Sequence, residues 1–173
     1  MNKRTKIAVL KYLVYTLLMM LLYVLQSDPN LFYIGQSKPM LVLPFAVCIA
    51  MFEGQPAGGL FGLLAGILCD TSAGVLFGFQ SILYLAVCTA VGLLVVYFMQ
   101  PSLVNSLIFV GGGLSLRLLL EYFLYYVMWG YDNTVLILLH RMLPVLVDTL
   151  VVTPLIFWMV RGLHRRFQAH MES

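Results

Sequence analysis

The sequence predicts an all-α protein, a polytopic membrane bundle of about six transmembrane helices in a single domain over residues 1–173. Hydrophobic residues make up 62% of the chain and charged residues 10%, which is far from the composition of a water-soluble domain. One crossing needs roughly 20 apolar residues. The length of 173 residues therefore accommodates about six crossings and no separate catalytic module.

Six apolar segments follow one another along the chain. Their predicted limits are 12–25, 39–52, 56–70, 79–99, 103–129 and 135–160. The third has about 15 residues, which at about 1.5 Å per residue falls short of a hydrocarbon layer of about 30 Å. We therefore expect helices two and three to be tilted or partly re-entrant. Pro144 and Pro154 are expected to kink the sixth helix.

Basic residues flank the apolar part of the chain at both ends. They are Lys3, Arg4, Lys6 and Lys11 at the start and Arg161, Arg165 and Arg166 at the end. Because cytoplasmic helix ends carry an excess of Lys and Arg, we expect both termini in the cytoplasm and an even number of crossings. No small-residue cleavage site precedes Asp28, so the first apolar run is expected to remain as a helix.

Glycines recur at intervals of four between residues 54 and 78, and Asp70 replaces the one missing from the series. Residues four apart share one helix face, and small residues there let a second helix approach closely. We expect this face to be a groove for the transmembrane helix of a partner. Its members are Gly58, Gly62, Gly66, Asp70, Gly74 and Gly78. Packing within the chain is the other explanation of the spacing and stays open.

Asp70 itself has two interpretations. It precedes a predicted helix, so its carboxylate is suited to accept backbone N–H groups as a cap. The alternative is a polar contact to another subunit or to water in a cavity.

Ionisable residues inside the predicted spans form a second pattern. Each costs about 2.5–3.5 kcal/mol at mid-membrane, so each is expected to have a partner. Helical rise places Arg117 at the depth of Asp148, and Glu121 at the depth of Arg141. We predict two ion pairs between helices five and six at these positions. Fixing helix register is one role for them, and a polar site for a ligand, a proton or a partner helix is the other.

The stretch GLLAGILCDTSAGVLFG, from Gly62 to Gly78, together with the order of apolar segments and the basic tail, resembles the bacterial rod shape-determining MreD family. The resemblance implies a non-catalytic inner-membrane scaffold of the cell-wall elongation (Rod) complex. Its implied partners are the bitopic protein MreC, with MreB, RodA and a penicillin-binding protein beyond it. The implied fold is similar to the substrate-binding subunits of energy-coupling-factor vitamin transporters.

Two other classes of function are alternatives to a scaffold. A vitamin-binding transporter subunit shares the size and helix count but needs polar groups converging on an outward cavity. An intramembrane aspartyl protease would use Asp70 and Asp148 as a pair sharing one proton, yet the glycine favoured before such an aspartate is absent.

Motifs for cofactors and catalysis are also absent. The chain has no nucleotide loop, HExxH or GxSxG motif, and its three cysteines lie in apolar runs without CxxC spacing. We expect no cofactor, no metal and no enzymatic activity. Membrane lipid is an expected partner and nucleic acid is not, while a homo-oligomer stays open.

Overall fold

The structure, a computed structural model, describes residues 3–27, 39–73, 78–124 and 143–172. These ranges are helical apart from short connections and contain no β-strand. The six helices are α1 (Lys3–Ser27), α2 (Val42–Glu53), α3 (Gln55–Ala73), α4 (Phe79–Tyr97), α5 (Leu103–Tyr122) and α6 (Leu143–Glu172). The predicted all-α class is confirmed for this part of the chain.

Four of the described helices are long and apolar enough to cross a membrane. The qualifying segments are 6–27, 79–97, 103–122 and 143–169. The protein is therefore a multi-pass helical membrane bundle. Six complete crossings stay a prediction, because α2 has only 12 residues and α3 is not among the four qualifying helices.

Helices α2 and α6 remain continuous although each of them contains proline. Pro44 lies in the first turn of α2, where a missing N–H removes no helical hydrogen bond. Pro154 lies inside α6, which nevertheless continues to Glu172. Thr153, directly before this proline, donates its hydroxyl to the carbonyl of Thr149 at 2.8 Å, and Thr149 donates to the carbonyl of Val145 at 2.6 Å. Pro144 lies at the start of the described part of α6, and the helix continues beyond it.

Helix α2 occupies the centre of the bundle. Every residue from Leu41 to Met51 is buried, and α2 contacts each of the other five helices. Its 12 residues rise about 18 Å, less than the hydrocarbon thickness of about 30 Å. A helix this apolar on all sides is stable when protein surrounds it. Such enclosure accounts for the short second helix, which the sequence alone left as tilted or re-entrant.

The first turn of α2 is satisfied by side chains of the neighbouring helices. Gln26 at the end of α1 accepts hydrogen bonds from the backbone N–H groups of Leu41 and Val42, at 2.9 and 3.2 Å. The N–H of Met40 donates to the Thr149 hydroxyl of α6 at 2.9 Å. Free N–H groups at a buried helix start are costly in an apolar interior, so these contacts fix α2 between α1 and α6.

Candidate functional site

The glycine face of α3 packs against the chain's own α4. A Cβ placed on Gly62 would lie 2.6 Å from the Tyr84 carbonyl oxygen, and one on Gly66 would lie 2.6 Å from the Ser81 backbone nitrogen. One placed on Gly58 would lie 2.5 Å from Ala50 of α2. Distances this short leave no room for any side chain. The backbones of α3 and α4 therefore touch through the glycines.

The close approach is reciprocal and antiparallel. Near the other end of the α3–α4 contact, Gly92 of α4 faces Gln55 of α3, and an added Cβ would lie 2.8 Å from the Gln55 Cα. Small residues thus line both helices where they meet. In a membrane, such residues permit the dense backbone contact that holds helices together.

The predicted partner-helix groove is corrected by this packing. Gly58, Gly62 and Gly66 are buried beneath α4 and α2, so these positions do not offer a surface to a foreign helix. The periodicity correctly indicated a close helix–helix contact, but the contacting helices belong to the same chain. Gly74 lies outside the described residues.

Asp70 is a buried cap for α4, which confirms the first of its two interpretations. The residue is 4% exposed, and its Oδ1 accepts the Gln80 N–H at 3.0 Å. Its Oδ2 accepts the N–H groups of Gly78 and Ser81, each at 3.0 Å, and the Ser81 hydroxyl at 2.5 Å. These bonds satisfy N–H groups at the start of α4 that have no partner within the helix.

Gly78 belongs to this cap rather than to a groove. Its φ is +97°, in the left-handed region that favours glycine, and it directly precedes α4. The glycine thus lets the chain turn so that the backbone N–H groups of Gly78, Gln80 and Ser81 all point at one carboxylate. Both oxygens of Asp70 are engaged, which leaves this carboxylate poorly suited to share a proton with Asp148.

Arg117 is the buried cation of α5, and its described ion pair is made within its own helix. Its Nε lies 3.8 Å from the Oε2 of Glu121, one turn along α5. Its guanidinium lies 5.9 Å from the centre of the Tyr84 ring and also contacts the sulfur of Met40. A buried charge needs such compensation, and here α4, α5 and Met40 in the segment before α2 supply it together.

The two predicted interhelical ion pairs are not tested. Arg141 lies outside the described residues, so its pairing with Glu121 stays a prediction. Asp148 lies half-buried on α6, and the contact proposed between it and Arg117 also stays a prediction.

Three buried polar atoms of α4 and α5 make no hydrogen bond of ordinary geometry with the residues that the structure describes. They are Gln80 Oε1, Tyr84 Oη and Arg117 Nε. Gln80 and Tyr84 lie one turn apart on α4, and Arg117 faces the Tyr84 ring. Buried polar groups are normally satisfied, so this set marks the part of the core that is most suited to a water molecule or another polar guest.

A charged cluster that the sequence did not predict joins α1, α2 and α6. Glu53 Oε1 lies 2.5 Å from Lys11 Nζ and 2.8 Å from His164 Nδ1, and it accepts the Tyr15 hydroxyl at 3.3 Å. The Lys11 and Glu53 side chains are only 6% and 8% exposed. His164 also stacks on Phe52, with ring centroids 5.3 Å apart.

The signal for this cluster was present but ambiguous. Sequence reasoning assigned Lys11 to membrane orientation and did not single out Glu53. The sequence indicates that Lys11 and Glu53 lie at the same end of the bundle. It does not indicate that they pair, because the pairing depends on how three helices distant in sequence pack together. The cluster holds the first turns of α1 and the last turns of α6 at one end of the bundle, here called the terminal end.

The glycines of α5 differ from those of α3 in that none of them meets the backbone of another helix among the described residues. Gly113 points inward, where an added Cβ would lie 3.0 Å from a Val87 methyl group of α4. Gly112 is exposed, and an added Cβ would meet nothing within 4 Å among the described residues. Exposed apolar side chains continue the same face above and below it. They are Val104, Ile108, Leu116, Leu119 and Phe123.

Comparison with known proteins identifies no relative. No protein-family model, no curated protein and no solved structure matches the chain. Among the described residues, no group of three or more His, Cys, Asp or Glu side chains is placed to hold a metal ion.

Proposed function

We propose that the chain is a non-catalytic scaffold of the bacterial cell-wall elongation (Rod) complex, similar to the MreD family, in the inner membrane. In this proposal it crosses the membrane six times with an arrangement like that of vitamin-transporter subunits. Both termini lie in the cytoplasm, as the basic ends favour. It binds a single-spanning MreC-like protein and through it helps to organise RodA, MreB and a penicillin-binding protein.

The observation that carries the proposal is the outward face of α5. Glycine inside a helix costs about 1 kcal/mol relative to alanine, so a close approach of another group normally offsets it. Gly112 has no such contact among the described residues, although it lies within an apolar, exposed stripe. A second transmembrane helix lying along this stripe would use the missing side chain for close backbone contact. We therefore place the partner helix on α5 instead of α3.

The contacts made by the carboxylates of Asp70 and Glu53 support a role without catalysis. Asp70 caps α4 with both oxygens, and Glu53 lies in the cluster with Lys11 and His164. Each carboxylate contributes to helix packing through these contacts. This use favours a scaffold over a protease that depends on a free pair of aspartates.

The test is co-purification of a tagged chain with a co-expressed, single-spanning MreC-like protein. We expect Gly112→Leu to lower partner recovery severalfold, because the leucine fills the space for close backbone contact. Gly162→Leu is the matched control, since Gly162 of α6 also faces open space among the described residues. Equal recovery with Gly112→Leu would reject the α5 face. No recovery with the unaltered chain would reject the scaffold function.

Small-molecule binding is the second candidate function, and one observation favours it. Gln80 Oε1, Tyr84 Oη and Arg117 Nε make no hydrogen bond of ordinary geometry with the described residues, and buried polar atoms of this kind can orient a bound ligand. Equilibrium dialysis of the purified protein against small vitamins tests this alternative. Saturable binding that Arg117→Gln weakens would favour a transporter subunit over the scaffold.

A further inference from the structure

A groove between α1 and α6 opens on the surface of the terminal end. It has a volume of about 410 Å³, within the usual range for ligand sites of about 300–1,000 Å³. Its walls are five apolar side chains and one arginine. They are Ile7, Leu10, Val14, Leu163, Phe167 and Arg166. The wall on α1 runs two turns, or about 10 Å, from Ile7 to Val14.

Hydrocarbon is the natural filler of such a groove. Leu10 is exposed and the other apolar wall residues are half-buried, so the groove opens at the outer surface of the bundle. An open gap would forfeit dispersion contacts along both helix walls. An acyl chain restores those contacts and needs no hydrogen bond, whereas a polar guest would leave its own groups unsatisfied against these walls.

Charge determines which lipid fits. Arg166 lies in the groove wall near the end of α6. The exposed Lys6 and Arg165 directly precede the wall residues Ile7 and Arg166. Among the side chains that the structure describes at this end, Glu53 is acidic and lies against Lys11 and His164. The rim is therefore positive, and a negative headgroup is attracted to it.

We propose that this groove is a binding site for one anionic glycerophospholipid, with an acyl chain between α1 and α6 and the headgroup phosphate beside Arg166. The bound lipid fills the space between the first and last helices of the bundle and adds to the contact that Glu53 makes across them. This site is independent of the partner face on α5.

The test is native mass spectrometry of the purified protein with phosphatidylglycerol or phosphatidylcholine of identical acyl chains. We expect one retained phosphatidylglycerol per chain and weaker retention of phosphatidylcholine. Arg166→Gln should lower phosphatidylglycerol retention about fivefold, as expected from the loss of one cation near an anionic lipid. Arg161→Gln is the matched control, because Arg161 is exposed on the same helix but does not line the groove.

A second pair of variants tests the acyl chain. Leu10→Trp fills the groove and should abolish retention of both lipids, while Leu17→Trp should not, because Leu17 is 63% exposed on α1 away from the groove. Circular dichroism checks that each variant remains helical. Equal retention of the two lipids, or equal losses with Arg161→Gln and Arg166→Gln, would overturn the headgroup assignment. Unchanged retention with Leu10→Trp would overturn the site.

Discussion

Helices α3 and α5 both carry closely spaced glycines, but they use them in opposite directions. In α3, Gly62 and Gly66 are covered by the backbone of α4. In α5, Gly112 faces outward with no described atom within 4 Å of an added Cβ. Small residues therefore indicate where a helix can be approached closely, while the rest of the fold decides whether the approaching helix belongs to the same chain.

Placing a methyl group on the covered face should have the largest effect. Gly66→Ala directs a Cβ into the Ser81 backbone, which cannot move aside as a side chain would. We expect the free energy of unfolding to fall by about 3 kcal/mol, at the upper end of the usual cost of overpacking. Thermal unfolding of the purified protein in detergent measures it. A melting temperature equal to that of the unaltered protein would contradict the α3–α4 contact.

Removing the cap between α3 and α4 should have the next largest effect. Asp70→Ala leaves the N–H groups of Gly78, Gln80 and Ser81 without their acceptor, which we expect to cost about 2 kcal/mol. Hydrogen exchange at Gln80 and Ser81 should accelerate more than exchange in the middle of α4. Asp70→Asn is the control, because it keeps one acceptor oxygen and should lose less. Uniform acceleration along α4 would argue against a local cap.

The smallest effect is expected on α5, and its sign should differ between neighbouring glycines. Gly112→Ala should stabilise the isolated protein by up to about 1 kcal/mol, since alanine is the better helix former and meets open space. Gly113→Ala should lose that gain, because its Cβ would lie 3.0 Å from Val87. Unfolding in SDS titrations compares the two. Equal destabilisation by both would mean that the outward face of α5 is covered.

The predictions that succeeded were those for which all the residues involved lie in one segment of the chain. The all-α class followed from composition, and the starts of α4 and α5 at residues 79 and 103 agree with the predicted limits. The cap at Asp70 was foreseen because donor and acceptor lie within eleven residues of each other. The Glu53 cluster was missed because Lys11, Glu53 and His164 come from three helices, and no local spacing connects them.

Composition and the length of the apolar runs were enough to predict a helical bundle in a membrane, because an apolar run of sufficient length has few other stable states. The glycine spacing also indicated that α3 is approached closely by another helix. Only the tertiary structure decided that the approaching helix is α4, that α2 is enclosed, and that Gly112 is left facing outward. The physical reason is that lipid tails and apolar side chains solvate a helix almost equally well, so hydropathy cannot distinguish a lipid-facing surface from a buried one; close packing and hydrogen bonding can.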